Sequence, residues 1–124
     1  VVAEVAAELR QAMDRADATG ISADRVILDP GLGFAKRAED SFALLAALPR
    51  LHALGRPLLI GPSRKSFLTA AIGQAAPPER DWGTAAAVTA AILSGAHIVR
   101  VHEIGPMVRV ARVADAIRAR RPRV

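Results

Sequence analysis

Residues 57–67 have the sequence PLLIGPSRKSF, in which a short apolar run is followed by a glycine and then by a polar, basic segment. The run is continuously apolar rather than alternating, which is typical of a strand buried on both faces of a parallel sheet. Similar apolar runs occur at residues 26–28 and at residues 98–101, and each of them also ends in a polar segment. The sequence therefore predicts three buried strands with polar segments at their carboxyl ends.

The segments between these runs have the apolar spacing and the glycine and proline stops of helices. The predicted helices are a first helix that ends near Gly20, a helical stretch after Lys36 that Pro49 kinks or splits, a short helix over residues 66–72, an alanine-rich helix from about Asp81 to Ser94, and a last helix that opens at Gly105-Pro106 with the apolar stripe Met107, Val110, Ala111, Ala114 and Ile117. Strands that alternate with helices predict an α/β fold with about three parallel strands, four or five helices and right-handed crossovers.

Composition excludes several classes of protein. The chain has 124 residues, a length typical of one domain, and its 17 basic and 12 acidic residues give a net charge of +5. It has no cysteine, which excludes disulfide scaffolds, cysteine-ligated zinc and thiol catalysis and fits a reducing, cytoplasmic location. The longest uncharged run, residues 82–99, is interpreted as a buried helix plus a strand, so no membrane partner is expected.

The carboxyl-terminal tail carries much of the positive charge. Its arginines are interpreted as a solvated helix end, and they are Arg118, Arg120, Arg121 and Arg123. Because no aromatic residues are interleaved with them, the tail does not favour nucleic-acid binding.

The beginning of the chain indicates that it is part of something longer. Val1 is followed at once by apolar positions at helical spacing, and no capping residue precedes them. Three strands alone would also leave two open sheet edges, which natural proteins avoid. We therefore expect the chain to begin inside an element of a larger domain.

The three polar segments are expected to meet, because the carboxyl ends of parallel strands share one edge, where α/β folds bind ligands. The first segment, residues 29–36, has two glycines that allow close backbone approach, but Lys36 stands where a dinucleotide fingerprint needs a third glycine. Asp29 can accept two hydrogen bonds from a planar pair of N–H groups. It can equally cap the amides of its own loop, and the sequence leaves both interpretations open.

The second polar segment, residues 61–67, contains two cations and two hydroxyl groups at a predicted helix start. It lacks the spacing of a P-loop. Basic side chains in a first helical turn oppose the helix dipole, so a purely structural role is the less favoured interpretation. The segment therefore indicates a site for an anion or another ligand.

The third polar segment begins within the last strand. Strand alternation places Arg100 and His102 on one face with Ile98, and Val99 with Val101 on the other face, toward the helices. A buried arginine and histidine need partners or a ligand. An internal ion pair with Glu103 or Asp29 is the alternative to a ligand.

Other candidate side chains are given structural roles. His52 and His97 are expected to be surface or loop histidines, and Trp82 is expected to pack in the interior. No set of histidine and acidic residues has the spacing of a metal site.

Together the three segments resemble those of dihydropteroate synthases. The resemblance rests on residues 29–36 (DPGLGFAK), residues 57–67 (PLLIGPSRKSF) and residues 95–104 (GAHIVRVHEI), and it extends over essentially the whole chain in the same order and spacing. Small departures are Ala35, where glycine is common in the family, and Pro62, where a larger or more flexible residue is common.

The resemblance implies a TIM (β/α)8 barrel, of which residues 1–124 would form a single partial domain with strands six to eight and their flanking helices. The family's amino-terminal half, with an Asn near the pyrophosphate and magnesium and an Asp and Asn on the pterin, would lie outside this chain. Mg²⁺ is therefore expected for the complete enzyme, with ligands mostly outside residues 1–124. The family's homodimers, formed through late helices, imply self-association of this chain.

The reaction implied by the resemblance condenses 7,8-dihydropterin-6-ylmethyl diphosphate with 4-aminobenzoate, giving dihydropteroate and pyrophosphate. Asp29 would accept hydrogen bonds from the pterin, and Lys65 would bind the pterin beside the aminobenzoate pocket. Arg100 would stack on the pterin, and with His102 it would hold the departing pyrophosphate. Lys65 and Arg100 are thus the predicted catalytic residues.

For the second substrate, the resemblance implies that Phe34 packs on the aminobenzoate ring and that Ser66 meets its carboxylate. The full set of predicted substrate-binding residues is Asp29, Phe34, Gly61, Arg64, Lys65, Ser66, Arg100 and His102.

Two other functions stay open at this stage. One is a pterin-binding methyltransferase that uses methyltetrahydrofolate, although the basic segments suit a diphosphate and a benzoate better than a corrinoid partner. The other is a non-catalytic barrel fragment, and we expect the 124 residues by themselves to show no turnover.

Overall fold

The computed structural model describes residues 1–122. Its α-helices are α1 (Val2–Ala18), α2 (Ala38–Ala46), α3 (Leu48–His52), α4 (Thr69–Ile72), α5 (Asp81–Leu93) and α6 (Ile104–Arg118). Its strands are β1 (Leu59–Ile60) and β2 (Ile98–Val99), and short 3-10 turns occupy Ala23–Arg25, Ser66–Leu68 and Pro77–Arg80. None of the helices within residues 1–122 is long and apolar enough to cross a membrane.

The three predicted apolar runs lie side by side in parallel. Leu28 forms a parallel bridge to Leu58, and β1 pairs with β2 so that Leu59 lies opposite Ile98. The Leu28 N–H donates to Pro57 O at 2.8 Å, and the Leu59 N–H donates to Leu28 O at 2.8 Å. The parallel arrangement predicted from the sequence is confirmed, with β1 in the middle.

The strands are shorter than the apolar runs predicted. Each of the two strands has two residues, and the first run contributes only the bridge at Leu28. Within residues 1–122 the first run has a neighbour on one side only, which is β1.

The helix ends follow the glycines and prolines of the sequence. Gly20 and Gly95 have φ values of 90° and 110°, the left-handed region that ends α1 and α5. The stretch after Lys36 is split at Ala47 into α2 and α3, with Pro49 in the first turn of α3. The predicted split is therefore confirmed, and proline is tolerated there because a first-turn N–H needs no helical partner.

The core lies between the sheet and the helices. Its main cluster joins the paired strands to α2, α3 and α5, and it includes Leu28, Leu44, Leu48, Leu51, Leu58, Ile60, Phe67, Ala87 and Ala91. A second cluster between α5 and α6 contains Val88 and Met107, and both Val99 and Val101 pack against it. The predicted orientation of those two valines toward the helices is confirmed, which places Arg100 on the opposite face. Burial of each large apolar side chain contributes about 1.5–3 kcal/mol.

Two expectations about packing are wrong. Trp82 was expected in the interior, but it is 86% exposed. The buried side of α5 is centred on Thr84 and Val88, and Trp82 lies about 200° around the helix from Thr84. Ile117 is also exposed, because it lies on α6 beyond Ala114, the last member of the second cluster.

The arginine-rich tail is not purely solvated. A guanidinium N–H of Arg121 donates to Leu93 O at 2.9 Å, and one of Arg118 lies 3.5 Å from Ile92 O. These carbonyls belong to the last turn of α5, where cations complement the helix dipole. Arg123, the last arginine of the predicted tail, lies outside the described residues.

Candidate functional site

The three polar segments converge at the carboxyl edge of the sheet. Arg100 Nη1 lies 3.2 Å from Asp29 Oδ2, which joins the first and third segments. Lys65 Nζ, from the second segment, donates to Leu32 O in the first at 2.6 Å. The predicted convergence of a carboxylate, a lysine and an arginine is therefore confirmed, and we call Asp29, Lys65 and Arg100 the polar junction.

Asp29 uses both carboxylate oxygens. Oδ1 accepts a hydrogen bond from the Gly31 N–H at 2.9 Å, and Oδ2 accepts one from Arg100. Loop capping and the internal ion pair, which the sequence left as alternatives to ligand binding, thus occur together. The Asp29 and Arg100 side chains are 36% and 54% exposed, so an incoming ligand can reach both.

The expectation that Arg100 and His102 are buried is wrong, since both are exposed. Ile98, on the same face, and Ile27, in the first apolar run, are exposed as well. The expectation that these strands are buried on both faces is therefore wrong. Within residues 1–122 no layer of structure covers this face of the sheet, whereas the opposite face is covered by helices.

The first polar segment, which forms a loop over residues 29–36, is held by hydrogen bonds between side chains and its backbone. Lys36 Nζ donates to Gly31 O at 3.0 Å and to Phe34 O at 3.1 Å. Behind it, the fully buried Ser41 hydroxyl accepts the Gly33 N–H at 3.0 Å. These contacts leave the Phe34 ring exposed at the edge of the loop.

Lys65 joins the first polar segment to the second, the loop over residues 61–67. Besides its bond to Leu32 O, its Nζ lies 4.5 Å from the centroid of the Phe34 ring, within cation–π range. Its side chain lies against Gly33, where an added Cβ would come within 2.9 Å of Lys65 Cδ. Burial, and then the charge of Arg100, lower the pKa of Lys65 below its ordinary value.

Gly61 makes room for Arg100. A Cβ at this position would lie 2.8 Å from Arg100 Cζ, closer than real contacts allow. The guanidinium therefore lies across the Gly61 backbone, and the substrate-binding role of Gly61 stays a prediction.

Arg64 is turned away from the polar junction. Its Nε and Nη2 lie 2.9 and 3.1 Å from the two carboxylate oxygens of Asp81, and Nη2 also lies 3.1 Å from Glu103 Oε1. Its backbone N–H donates to Thr84 Oγ1 at 3.0 Å, with φ at 55°. The hydrogen bonds from Arg64 lower the pKa of Asp81. Arg64 thus fastens the second loop to α5, and its substrate-binding role stays a prediction.

Ser63 and His102 form a contact that the sequence analysis missed. Ser63 Oγ lies 2.6 Å from His102 Nδ1, and it accepts the His102 backbone N–H at 3.0 Å. The two residues are 39 positions apart, and only the pairing of β1 with β2 brings them together. The residues around Ser63 do not form a nucleophile-elbow pattern, so no local signal marks this serine.

Ser66 lies at the start of a short and irregular helical segment. The three residues Ser66–Leu68 form a 3-10 turn before the four-residue α4, and the Ser66 side chain is exposed. The predicted short helix over residues 66–72 is present. Its first turn lacks α-helical geometry, and binding of a carboxylate by Ser66 stays a prediction.

His52 and His97 lie at the opposite, amino-terminal ends of the strands. Both are exposed, as predicted, and their rings stack with centroids 5.6 Å apart. His97 Nδ1 accepts the Leu58 N–H at 3.2 Å. These histidines are structural and separate from the polar junction.

The residues present do not form a magnesium site. Across residues 1–122, no group of three or more histidine, cysteine or acidic residues is placed to hold a metal ion. Asp29 is the carboxylate of the polar junction, and Arg100 and Gly31 occupy its two oxygens, whereas Mg²⁺ requires several oxygen ligands in octahedral geometry.

Comparison with known proteins assigns the family. Residues 1–102 match the family model described as pterin binding enzyme. The chain belongs to this pterin binding enzyme family.

Relatives within the family are named dihydropteroate synthases. The chain is 50% identical over 105 residues to the enzyme of Synechocystis sp., which covers 85% of this chain and 36% of that one. It is 39% identical, at a TM-score of 0.92, to the Xanthomonas albilineans enzyme in complex with 7,8-dihydropteroate, covering 98% of this chain and 46% of that one. For the Coxiella burnetii enzyme in complex with pteroic acid the values are 36% identity, a TM-score of 0.91, and 95% and 43% coverage.

The chain therefore spans less than half the length of these relatives. Their barrels extend beyond the part that it matches, and the fold of the chain is that of part of a TIM barrel. The predicted fold class is confirmed.

Proposed function

We propose that the chain supplies the carboxyl-terminal part of a dihydropteroate synthase, which condenses 7,8-dihydropterin-6-ylmethyl diphosphate with 4-aminobenzoate. The observation that carries the proposal is the polar junction, in which Asp29, Lys65 and Arg100 meet at the edge where α/β barrels bind ligands. The family membership and the names of the relatives support it.

The pterin end of the site is built from Asp29 and Arg100. Asp29 Oδ2 accepts a hydrogen bond from Arg100 in this structure, and a pterin N–H pair would offer the same carboxylate the same kind of donor. The freed guanidinium would then stack on the pterin plane, as a planar cation can and an ammonium group cannot.

The chemical step needs stabilisation of a leaving anion. The aniline nitrogen attacks the methylene carbon, a C–N bond forms, and the C–O bond breaks with its electron pair leaving on the pyrophosphate. The amine proton is lost to solvent. Arg100 and His102, which precede and follow Val101, would bind the charge that develops on the pyrophosphate.

The aminobenzoate end of the site is proposed to lie between Lys65 and Phe34. Lys65 Nζ already lies over the exposed Phe34 ring, so a second aromatic ring can stack beside it. Ser66, next in sequence and exposed, would meet the carboxylate. The X. albilineans enzyme, which is 39% identical to this chain and is known in complex with 4-aminobenzoic acid, supports the choice of this second substrate.

A second candidate function is that of a non-catalytic barrel fragment. Coverage of only 36% of the Synechocystis relative favours it for the 124 residues taken alone. A methyltetrahydrofolate methyltransferase is less favoured, because Arg100 and His102 suit a diphosphate. Aminobenzoate-dependent release of pyrophosphate separates these functions.

The experiment uses a chimera. The amino-terminal part of the Synechocystis enzyme is fused to residues 1–124, so that the remaining barrel elements come from a relative with 50% identity. We expect aminobenzoate-dependent pyrophosphate release from the chimera and none from the 124 residues alone.

The control is the Arg100→Ala chimera, which should fold but lose most of the activity. A folded chimera that binds pterin without releasing pyrophosphate would refute the synthase function. Turnover by residues 1–124 alone would refute the proposed need for the other half.

Three further features of the complete protein are proposed with the same function. Magnesium would bind through residues outside this chain, and the location would be cytoplasmic. Self-association would use α5 and α6, where α6 exposes a shallow groove of about 420 Å³ lined by Arg112, Val113, Ala116, Ile117 and Arg120.

A further inference from the structure

Ser63, in the second polar segment, is a nearly enclosed side chain that contacts His102. It is 7% exposed, and its neighbours on both sides are fixed. Pro62 is fully buried, and the Arg64 backbone N–H is held by Thr84 Oγ1. The position of the Ser63 hydroxyl is therefore set by the second loop rather than by solvent.

The hydrogen bonds of Ser63 determine where its proton goes. Oγ accepts the His102 backbone N–H at 3.0 Å, which uses one lone pair and no proton. Among the described residues, the other hydrogen-bond partner of Oγ is His102 Nδ1 at 2.6 Å. An enclosed hydroxyl proton needs an acceptor, and Nδ1 can be that acceptor when the ring proton is on Nε2.

We propose that Ser63 is a positioning residue whose O–H donates to His102 Nδ1, so that the ring presents Nε2–H as its other polar group. With Nδ1 accepting from Ser63, the ring presents Nε2–H on its other side as a hydrogen-bond donor to an anion. The inference rests on the proposed function, in which that anion is the diphosphate. Ser63 itself contacts no substrate and acts through the orientation of the imidazole.

Ser63 orients His102 through two hydrogen bonds, one to the backbone and one to the ring. Because the His102 N–H and the His102 ring both bond to one oxygen, Ser63 fixes the backbone and the side chain of the same residue. Loss of the hydroxyl would release the ring rotation and allow the other tautomer, without removing any group that touches the ligand.

The first test reads the tautomer directly. Long-range ¹H–¹⁵N correlation spectra of labelled residues 1–124 report which ring nitrogen of each histidine carries the proton, and His102→Gln assigns the signals. We expect Nε2–H in the native chain and a mixture of both tautomers in Ser63→Ala. Ser63→Thr, which keeps the hydroxyl, should restore the native pattern.

The second test measures, by calorimetry, the binding of inorganic pyrophosphate to the native chain and to its Ser63 variants. Loss of one hydrogen bond that orders the ring should weaken binding about three- to tenfold in Ser63→Ala. Ser63→Thr should stay within about twofold of the native chain, as should Ser94→Ala, a serine at the end of α5 with no role in the junction. Ser63→Cys, similar in size with a weak donor, serves where the alanine variant does not fold.

The two hypotheses fail in different ways. Unchanged His102 signals in a folded Ser63→Ala protein, or Nδ1–H in the native chain, overturn the positioning role whatever the chain binds. A Ser63-dependent tautomer together with no pyrophosphate release by the chimera leaves the positioning role standing and overturns the synthase function.

Discussion

Arg100 Nη1 donates to Asp29 Oδ2 at 3.2 Å, across 71 positions of sequence. Both side chains are too exposed for this ion pair to contribute more than about 1 kcal/mol to folding. The ion pair matters within the site instead. Each of its two charged groups has a partner, and a ligand can take the place of that partner with a group of similar charge or hydrogen-bonding capacity. The pair therefore keeps the two groups adjacent and accessible at little cost in stability.

Asp29→Asn should separate binding from folding. The amide oxygen can still accept the Gly31 N–H, but the charge that meets Arg100 and a pterin N–H pair is lost. We expect pterin affinity of the chimera to fall about tenfold to a hundredfold, as for a charged hydrogen bond, while stability changes by less than about 1 kcal/mol. Fluorescence titration and urea unfolding measure the two effects.

The control for this variant is Glu39→Gln. Glu39 lies on α2 and makes an exposed ion pair with Arg37, so the substitution removes the same charge away from the polar junction. It should change neither quantity. Pterin affinity within twofold of the native value in Asp29→Asn would show that the carboxylate does not bind the pterin.

Gly61→Ala should displace Arg100. The added Cβ would meet the guanidinium at 2.8 Å from Cζ, and since Arg100 is the flexible partner, it moves rather than the backbone. We expect pterin binding by the chimera to weaken about threefold to thirtyfold through loss of cation–π stacking. The stability loss should stay below about 1 kcal/mol.

Gly105→Ala is the matched control. No atom lies within 4 Å of a Cβ at this position in α6, so the added methyl group meets no neighbour and the variant should bind pterin normally. Equal pterin affinity in the two alanine variants would contradict the proposed role of Gly61.

Asp81→Asn should reveal a pH-dependent clamp on the second loop. Arg64 lowers the pKa of Asp81 from 3.8 by hydrogen bonding, so the ionised carboxylate is favoured in the folded chain. The stabilisation is fully present above pH 3.8 and is lost as the pH falls through the lower pKa of the folded state. The native chain should therefore be the more stable at pH 7, and the difference should shrink below pH 3.8.

Urea midpoints at several pH values measure this difference. The control is Asp24→Asn, an exposed acidic residue of the turn Ala23–Arg25 that does not contact the second loop. A native-minus-variant difference that stays constant between pH 7 and pH 2 would rule out the Arg64–Asp81 bond as its source.

The sequence predicted the outline of the fold and the place of the site, because both depend on local signals. Continuous apolar runs mark strands of a parallel sheet, and the polar residues that follow them reach one edge whatever the side-chain details. The orientation of Val99 and Val101 followed from strand alternation in the same way.

Contacts that depend on pairing between distant segments were not predictable. Nothing near Ser63 in the sequence points to His102, and Arg64 resembles a ligand-binding cation until Asp81 and Glu103 are seen beside it. The exposure of Trp82 was missed because a large aromatic residue next to an alanine-rich helix fits packing by composition alone, whereas the buried face is set by α5 and its neighbours.

Lys65 should titrate below its ordinary pKa of 10.5, and its neighbours should shift that pKa in opposite directions. Burial is the main cause, so the pKa stays depressed in every variant that keeps the fold. Arg100→Ala removes a repulsive charge and should raise the pKa of Lys65, whereas Asp29→Asn removes an attractive one and should lower it further. The sequence has two lysines, Lys36 and Lys65, so NMR titration of the lysine side chains measures the pKa of Lys65 against one other signal.

Arg37→Ala provides the control for these titrations, since Arg37 is an exposed cation that pairs with Glu39 and Asp40. It should leave the Lys65 curve unchanged. Shifts of the same sign in Arg100→Ala and Asp29→Asn would mean that Lys65 does not sense the two charges of the junction.

Self-association through α6 should depend on Val113, which is 62% exposed beside Arg112 and Ile117 in the groove. In a two-fold symmetric dimer, one residue near the axis faces its own copy, so Val113→Arg would place like charges against each other. We expect the native chain to sediment as a dimer and Val113→Arg as a monomer with an unchanged urea midpoint. Ala7→Arg, which adds the same charge to the exposed side of α1, should remain dimeric. A native chain that stays monomeric at high concentration would contradict the proposed dimer.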